Sequence, residues 1–379
     1  MIKRIYSDID KLLETENVLI IYGPRQVGKT TLLHEYIATT LYKYRFDRGD
    51  FIRIQEILSS KDEEMLRAYV GDNKLVIVDE AQMVPEIGKN LKILTDVNPN
   101  LKIVVTGSSS FALAGQVDEP LVGRKTTVKL YPFSQMELLK EEFDNNKFDL
   151  KQKLNDFLIF GSYPKVYLAK TKEKKIKILN DMVDSHIIKD VLAVKGIKSS
   201  SILYKLLRLV AFQVGNEVSF SELGKQLDIK DPRIIDRYLD LLEKSFIIFH
   251  LGGFATNLRK EVTGKYKYFF YDNGIRNALI KQYNDIDYRN DIGALWENFI
   301  ISERLKKREY TNDYANAYFW RSYEQQEIDL VEEKDEKVFT YEIKWSVKKY
   351  PKVPTQWREQ FPDAKYTVIN KENYLNFIA

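Results

Sequence analysis

An α/β fold built on a parallel sheet is the class this sequence predicts, and three observations predict it. The first is Gly23-Pro24-Arg25-Gln26-Val27-Gly28-Lys29-Thr30, set between the apolar run Val18-Leu19-Ile20-Ile21-Tyr22 and the helix-like Thr31-Leu32-Leu33-His34-Glu35-Tyr36. The second is Lys74-Leu75-Val76-Ile77-Val78-Asp79-Glu80, four aliphatic residues closing in two carboxylates, the pattern of a strand buried on both faces of a parallel sheet. The third is the alternation of strand and helix patterns from residue 18 to about residue 135.

The octapeptide has the G-x-x-x-x-G-K-[ST] form of a phosphate-binding P-loop. Gly23 and Gly28 can take backbone angles that a Cβ makes costly, so successive N–H groups can turn inward around a polyphosphate at a helix N-terminus. Lys29 brings a point charge to the β- and γ-phosphates, and the Thr30 hydroxyl holds the bridging Mg²⁺. Gly23, Pro24, Arg25, Gln26, Val27, Gly28, Lys29, Thr30 and Thr31 are the expected nucleotide-binding set. Asp79 joins them at the carboxyl end of its strand, where open α/β sheets place ligands, and holds the Mg²⁺ through water. Glu80 polarises the attacking water.

The elements follow in order. Residues 1–17 read as a short amphipathic helix, apolar at Ile5, Ile9, Leu12 and Leu13. After the P-loop helix come a strand over 42–46, helices over 51–58 and 63–70, the acidic-ended strand, and a helix over about 85–97. The strand Lys102-Ile103-Val104-Val105-Thr106 then closes in Gly107-Ser108-Ser109-Ser110. Its end predicts a polar contact to the γ-phosphate or the attacking water, from Ser108 first and Thr106 second. Ser108 as the N-cap of a helix over 111–114 is an equally physical reading, and the two are compatible.

Residues 135–215 read as helical, with a lysine-rich stretch over 170–177 that suits a solvated helix face better than a nucleic-acid contact. Residues 218–227 and 232–245 form two short helices about a turn, and strands over 246–251 and 266–270 follow. That is the outline of a winged helix. Its second helix offers Arg233 and Arg237 but also Asp236, Asp240 and Glu243, so DNA contact through it is the weaker part of the reading.

Composition narrows the chemistry. Basic residues number 59 against 55 acidic ones, a net charge of +4, so any nucleic-acid surface is local. The absence of cysteine removes disulfides, thiol catalysis and thiolate zinc sites and fits a reducing compartment. The histidines, His34, His186 and His250, are too scattered for a metal pair. No apolar h-region or membrane-length run occurs, and a cytoplasmic location is expected.

GPRQVGKTT, LVIVDEAQ, the TGSSS strand end, Gly123-Arg124 before a strand and LYPFS together resemble the AAA-type ATPase module (AAA_14 class) that is commonly fused to a C-terminal DUF4143 domain. The likeness covers essentially the whole chain. Phe160-Gly161-Ser162-Tyr163-Pro164 also matches a G-G-x-P element, with Ser162 in place of the second glycine. The resemblance implies an ATPase of the AAA superfamily, with ATP preferred because no guanine-reading N/T-K-x-D motif is present. Arg124 is the candidate for the charge-compensating arginine, from its own or a neighbouring subunit, and Arg25 is its rival.

The last hundred residues carry a second candidate site. A helix opens at Trp296-Glu297, and strands run over 315–320, 327–331 and 338–344. Asp329 on one strand and Glu342 and Lys344 on the next, with Glu297 from the helix, would form an oxygen-rich Mg²⁺ site with a lysine to orient water. Positions 342 and 344 share a strand face. This layout resembles the E…D…E-x-K core of PD-(D/E)xK nucleases, the archaeal Holliday-junction resolvases among them, and implies a restriction-endonuclease-like fold. Such domains can keep the fold for DNA binding without turnover.

The expected organisation is therefore an ATPase domain over 1–135, a helical region over 136–215, a winged-helix-like domain over 216–272 and a nuclease-like domain over 273–379. The expected function is an Mg²⁺-dependent ATPase coupled to a C-terminal region that binds or cuts DNA. The alternative is a nucleotide-dependent switch that signals to a protein partner and carries an inactive C-terminal module; a homo-oligomer or a protein partner is the expected association. No membrane partner is expected.

Overall fold

Val18–Tyr22 (β1) and Leu75–Asp79 (β3) are buried at every position, as strands covered on both faces must be. The structure, a computed structural model, describes residues 2–108, 120–184, 200–255 and 265–379. With Tyr44–Arg48 (β2), Lys102–Gly107 (β4) and Lys125–Lys129 (β5), these two strands build a five-stranded sheet in the order β2-β3-β4-β1-β5. Every pairing in it is parallel. The front of the chain is thus the α/β fold with a parallel sheet that the sequence predicts. Its helices are Ile9–Leu12 (α1), Lys29–Ile37 (α2), Ile52–Leu58 (α3), Glu63–Val70 (α4) and Ile87–Val97 (α5).

Local departures have local causes. The N-terminal helix is a single turn: Ile9 and Leu13 are buried, but Ile5 stands at the surface. Strand β2 begins at Tyr44 rather than Tyr42, because its register against β3 starts at Tyr44 opposite Leu75. Helix α5 begins at Ile87, since Glu86 takes a left-handed φ of 50° that no helix continues through. The residues expected as a helix over 111–114 lie outside those described.

Further along run Gln135–Glu141 (α6), Lys147–Gln152 (α7), Leu154–Phe160 (α8), Pro164–Tyr167 (α9), Lys172–Met182 (α10) and Ser200–Phe212 (α11). Helix α10 carries the lysine-rich stretch of the segment expected to be helical, and residues 185–199 of that segment lie outside those described. Next are Glu217–Val218 (β6), Phe220–Gln226 (α12), Pro232–Lys244 (α13), Ile248–Gly253 (β7), Tyr266–Phe270 (β8) and Asn273–Ile280 (α14). The final stretch holds Ile292–Tyr310 (α15), Asn316–Arg321 (β9), Glu327–Lys334 (β10), Lys337–Ile343 (β11), Thr355–Gln360 (α16), Lys365–Ile369 (β12) and Tyr374–Ile378 (α17).

Strands β6 to β12 form one seven-stranded sheet in the order β12-β11-β10-β9-β7-β8-β6. It runs across the boundary expected at residue 272, because β7 pairs in parallel with β9 through Gly252 opposite Tyr318 and Gly253 opposite Phe319. One apolar core joins the two halves of the chain: Leu19 and Ile21 of β1 belong to the same cluster as Phe133, Phe157, Leu206, Phe269, Trp296 and Phe299. The opposite face of β1, Val18 and Ile20, packs with residues of α3, α4 and α5. The P-loop end of β1 is therefore fixed from both sides.

Candidate functional site

The loop between β1 and α2 has the backbone its glycines permit. Gly28 has φ of 98° and Gly23 φ of 152°, and a Cβ at Gly23 would lie 2.1 Å from the Leu130 carbonyl oxygen. The Lys29 side chain is buried, and its Nζ donates to the carbonyl oxygens of Gly23 at 2.7 Å and Pro24 at 2.9 Å. The Thr30 hydroxyl donates to Asp79 Oδ2 at 2.8 Å. A hydroxyl and a carboxylate oxygen side by side suit Mg²⁺, a hard cation that takes oxygen ligands, so these residues fit the metal the loop implies.

The carboxylates are held from β4. The Thr106 hydroxyl donates to Asp79 Oδ1, and the Glu80 backbone N–H donates to the Thr106 oxygen at 3.2 Å. Ser108 is buried at the strand end, where its N–H donates to Gln82 Oε1 at 3.3 Å. Gln82 Nε2 donates in turn to Glu80 Oε2. Lys29, Thr30, Thr31, Glu80, Arg25 and Gln26 line a cleft of about 1080 Å³, whose far wall is Pro164, Lys165 and Leu168 of and beside α9. Arg124 is not among the lining residues: it is exposed, just before β5, and paired with Asp96 of α5.

Residues 15–139 match an AAA domain (AAA_14). This front part is an ATPase-like AAA domain. Residues 151–285 match a domain of unknown function, DUF8612, and residues 292–377 match another, DUF4143. An uncharacterized protein of Haemophilus influenzae is 26% identical over 358 residues, spanning 88% of this chain and 84% of its own length. One of Methanocaldococcus jannaschii is 25% identical and spans 98% of this chain and 86% of its own. Among solved structures, a Walker-type ATPase of Pyrococcus abyssi aligns over 74% of this chain and 96% of its own, at 16% identity and a TM-score of 0.46. AMPPCP-bound DnaA from Aquifex aeolicus aligns over 63% and 86%, at 16% identity and a TM-score of 0.29.

Two features of the AAA domain escaped sequence reasoning. Arg4, 6% exposed, donates through Nη1 to the Val27 carbonyl of the P-loop at 2.5 Å, through Nη2 to Tyr131 O at 2.7 Å, and through Nε to Glu137 Oε1 at 2.9 Å. A lone arginine near the start gives no signal for this; Ser134-x-x-Glu137 signals only the capping box that closes α6. The second feature is the junction with the DUF4143-matching part. Glu303 Oε2 of α15 accepts from Gln135 N at 2.7 Å, Tyr310 Oη accepts from Tyr131 N at 3.0 Å, and Lys306 Nζ lies 2.6 Å from Glu303.

The other end of α15 carries Glu297 and the second candidate site. Asp329 lies where the β9–β10 register shifts, a bulge that re-aims a strand side chain. Its Oδ2 accepts from the Ile343 N–H at 2.7 Å and lies 3.4 Å from Lys344 Nζ, which is 2.6 Å from Glu342 Oε1. Asp329, Glu342 and Lys344 thus come together, and Glu297 is near enough for Asp329 and Lys344 to act on its charge. It faces the buried Lys267 of β8 at 3.7 Å, and Lys267 also pairs with Glu327. Among the described residues no three acidic, histidine or cysteine side chains gather as a metal site.

Burial, reinforced by Asp329, pushes the Glu297 carboxyl up to about 8 and raises that of Glu342. Burial works to lower the Lys267 ammonium, but Glu297 and Glu327 outweigh it and raise it. Lys267 lies in Tyr266-Lys267-Tyr268-Phe269-Phe270, a strand pattern in which the lysine reads as an outward residue. No helix among the described residues is long and apolar enough to cross a membrane.

Proposed function

We propose that this protein is a magnesium-dependent ATPase whose nucleotide state is relayed along α15 to its C-terminal half. The observation that carries the reading is the convergence of Lys29, Thr30 and Glu80 at one cleft, with the buried Asp79 behind them, 2.8 Å from the Thr30 hydroxyl. When a triphosphate enters, the Lys29 ammonium exchanges the Gly23 and Pro24 carbonyls for phosphate oxygens. Mg²⁺, held by Thr30 and through water by Asp79, would neutralise charge on the β- and γ-phosphates. Glu80 orients a water in line with the γ-phosphorus and takes its proton as the bond to the ADP oxygen breaks. Arg124 stands away from its own cleft, so its compensating role belongs to a neighbouring copy. The C-terminal end of α15 touches the AAA domain and its N-terminal part reaches Lys267, so a shift at the AAA domain is felt across the helix.

Calorimetric titration tests the site. Lys29→Ala gives no heat with ATP and Mg²⁺, and Glu80→Gln binds ATP but does not turn it over. ATP binding by Lys29→Ala at wild-type affinity would overturn the assignment.

A second reading, in which the C-terminal half acts on DNA, is favoured by Asp329, Glu342 and Lys344 standing together on neighbouring strands. Cleavage of branched DNA with Mg²⁺ or Mn²⁺ that disappears in Glu342→Ala and Lys344→Ala would establish it. DNA stimulation of the ATPase that weakens with salt would establish binding alone.

A further inference from the structure

Glu80 has a backbone that few side chains adopt, φ 53° and ψ 40°, and its strain of about 1 kcal/mol needs surroundings that hold it in place. The Thr106 oxygen accepts its N–H, and the 3-10 turn Ala81–Met83 follows immediately. This turn folds the chain back so that the Gln82 side chain lies alongside that of Glu80. Gln82 Nε2 donates to Glu80 Oε2, while Gln82 Oε1 accepts from Ser108 N at 3.3 Å. A backbone N–H can only donate, so the amide carbonyl must face Ser108 and the NH₂ must face the carboxylate. Both ends of the amide are thereby specified.

Gln82 is not among the residues that line the cleft, whereas Glu80 is. Its link to a residue lining the cleft is through Glu80, since its other partner, Ser108, is not among the lining residues either. A carboxylate with one oxygen tied to an amide keeps the other for a water, and its side-chain torsions are no longer free. The same amide ties that carboxylate to the end of β4, beside the P-loop strand β1.

We infer that Gln82 is a positioning residue for hydrolysis: it holds the Glu80 carboxylate in its working orientation and links it to the end of β4 at Ser108. The inference rests on the reading of Glu80 as general base.

The test uses the full chain carrying Gln82→Ala or the near-isosteric Gln82→Glu, which keeps the size but cannot donate to Glu80. Steady-state ATPase rates and the affinity for a fluorescent ATP analogue are measured for each. The expected result is a kcat reduced about tenfold or more in both variants, with nucleotide affinity within about twofold of wild type. In a Glu80→Gln background, Gln82→Ala should lower the residual rate less than about twofold, because its route of action is already gone. An unchanged or raised kcat in Gln82→Glu overturns the inference, and so does an equal further loss in the Glu80→Gln background. Wild-type turnover by Glu80→Gln alone would instead overturn the general-base reading beneath it.

Discussion

Arg4 and Glu137, separated by 133 positions, form a buried ion pair 2.9 Å long on the underside of the P-loop. The same guanidinium holds the Val27 and Tyr131 carbonyls and lies 4.9 Å from the centre of the Phe133 ring. Removing one partner of such a pair leaves the other buried without its counter-charge. Arg4→Ala is expected to cost about 3 kcal/mol or more in chemical denaturation. Arg4→Lys should recover little, since a single ammonium cannot replace a planar fork that spans three acceptors. A cycle with Glu137→Ala should show strong non-additivity.

Gly161 and Gly123 both have φ of 71°, yet they should respond differently to a methyl group. A Cβ at Gly161 would lie 2.0 Å from Asp272 Oδ1, and Asp272 is the buried acceptor for Ser162 N and Ile275 N. Among the described residues nothing stands within 4 Å of the corresponding position at Gly123. Gly161→Ala should therefore cost more than about 3 kcal/mol, whereas Gly123→Ala costs only the backbone term of about 1 kcal/mol. Thermal melting of the two variants side by side makes the comparison.

Glu297 gives the fold a pH dependence with a definite sign. Its carboxyl is raised in the folded chain to about 8 from an ordinary value of 4.5, so the folded state holds this proton more tightly than the unfolded one. Stability contributed by the group is complete below its ordinary value and is lost as pH climbs towards 8, on the order of 5 kcal/mol. Glu297→Gln should flatten that decline. Denaturation midpoints at about pH 5 and about pH 8.5 for both proteins read the difference directly.

Arg124, exposed beside Asp96, contributes little to folding, and Arg124→Ala should change stability by less than about 1 kcal/mol. Its contribution to turnover is expected across a subunit boundary. Mixing Arg124→Ala, which keeps an intact P-loop, with Lys29→Ala, which keeps the arginine, should restore ATPase activity that neither variant has alone. No recovery over a range of concentrations would exclude the role in trans.

What the sequence made legible were features whose information is local. Gly23 to Thr30 needs only its own glycines and the flanking strand and helix, and Leu75–Asp79 needs only an apolar run with a carboxylate at its end. Helix α4 could be bounded at Glu63 and Val70, with the Asp62 side chain capping it through Met65 N. Illegible features depended on partners remote in sequence. Arg4 looks like any N-terminal basic residue until Glu137 folds beneath it. Lys267 looks like a surface lysine on an aromatic strand until Glu297 and Glu327 arrive around it. Arg124 was placed by its neighbours in the sequence, which say nothing about its distance from the cleft.

The parallel pairing of β7 with β9 has a practical corollary for anyone dissecting this chain. Excising residues 292–377 as a stand-alone piece would strip β9 of a neighbour, leave Glu297 without its lysine, and expose unpaired backbone amides that invite strand addition from other molecules. Such a fragment should self-associate on expression, and a failed activity assay on it would report the cut rather than the chemistry. A break upstream of β6 keeps the whole sheet together but still cuts the apolar core it shares with β1, so the full chain is the unit to assay.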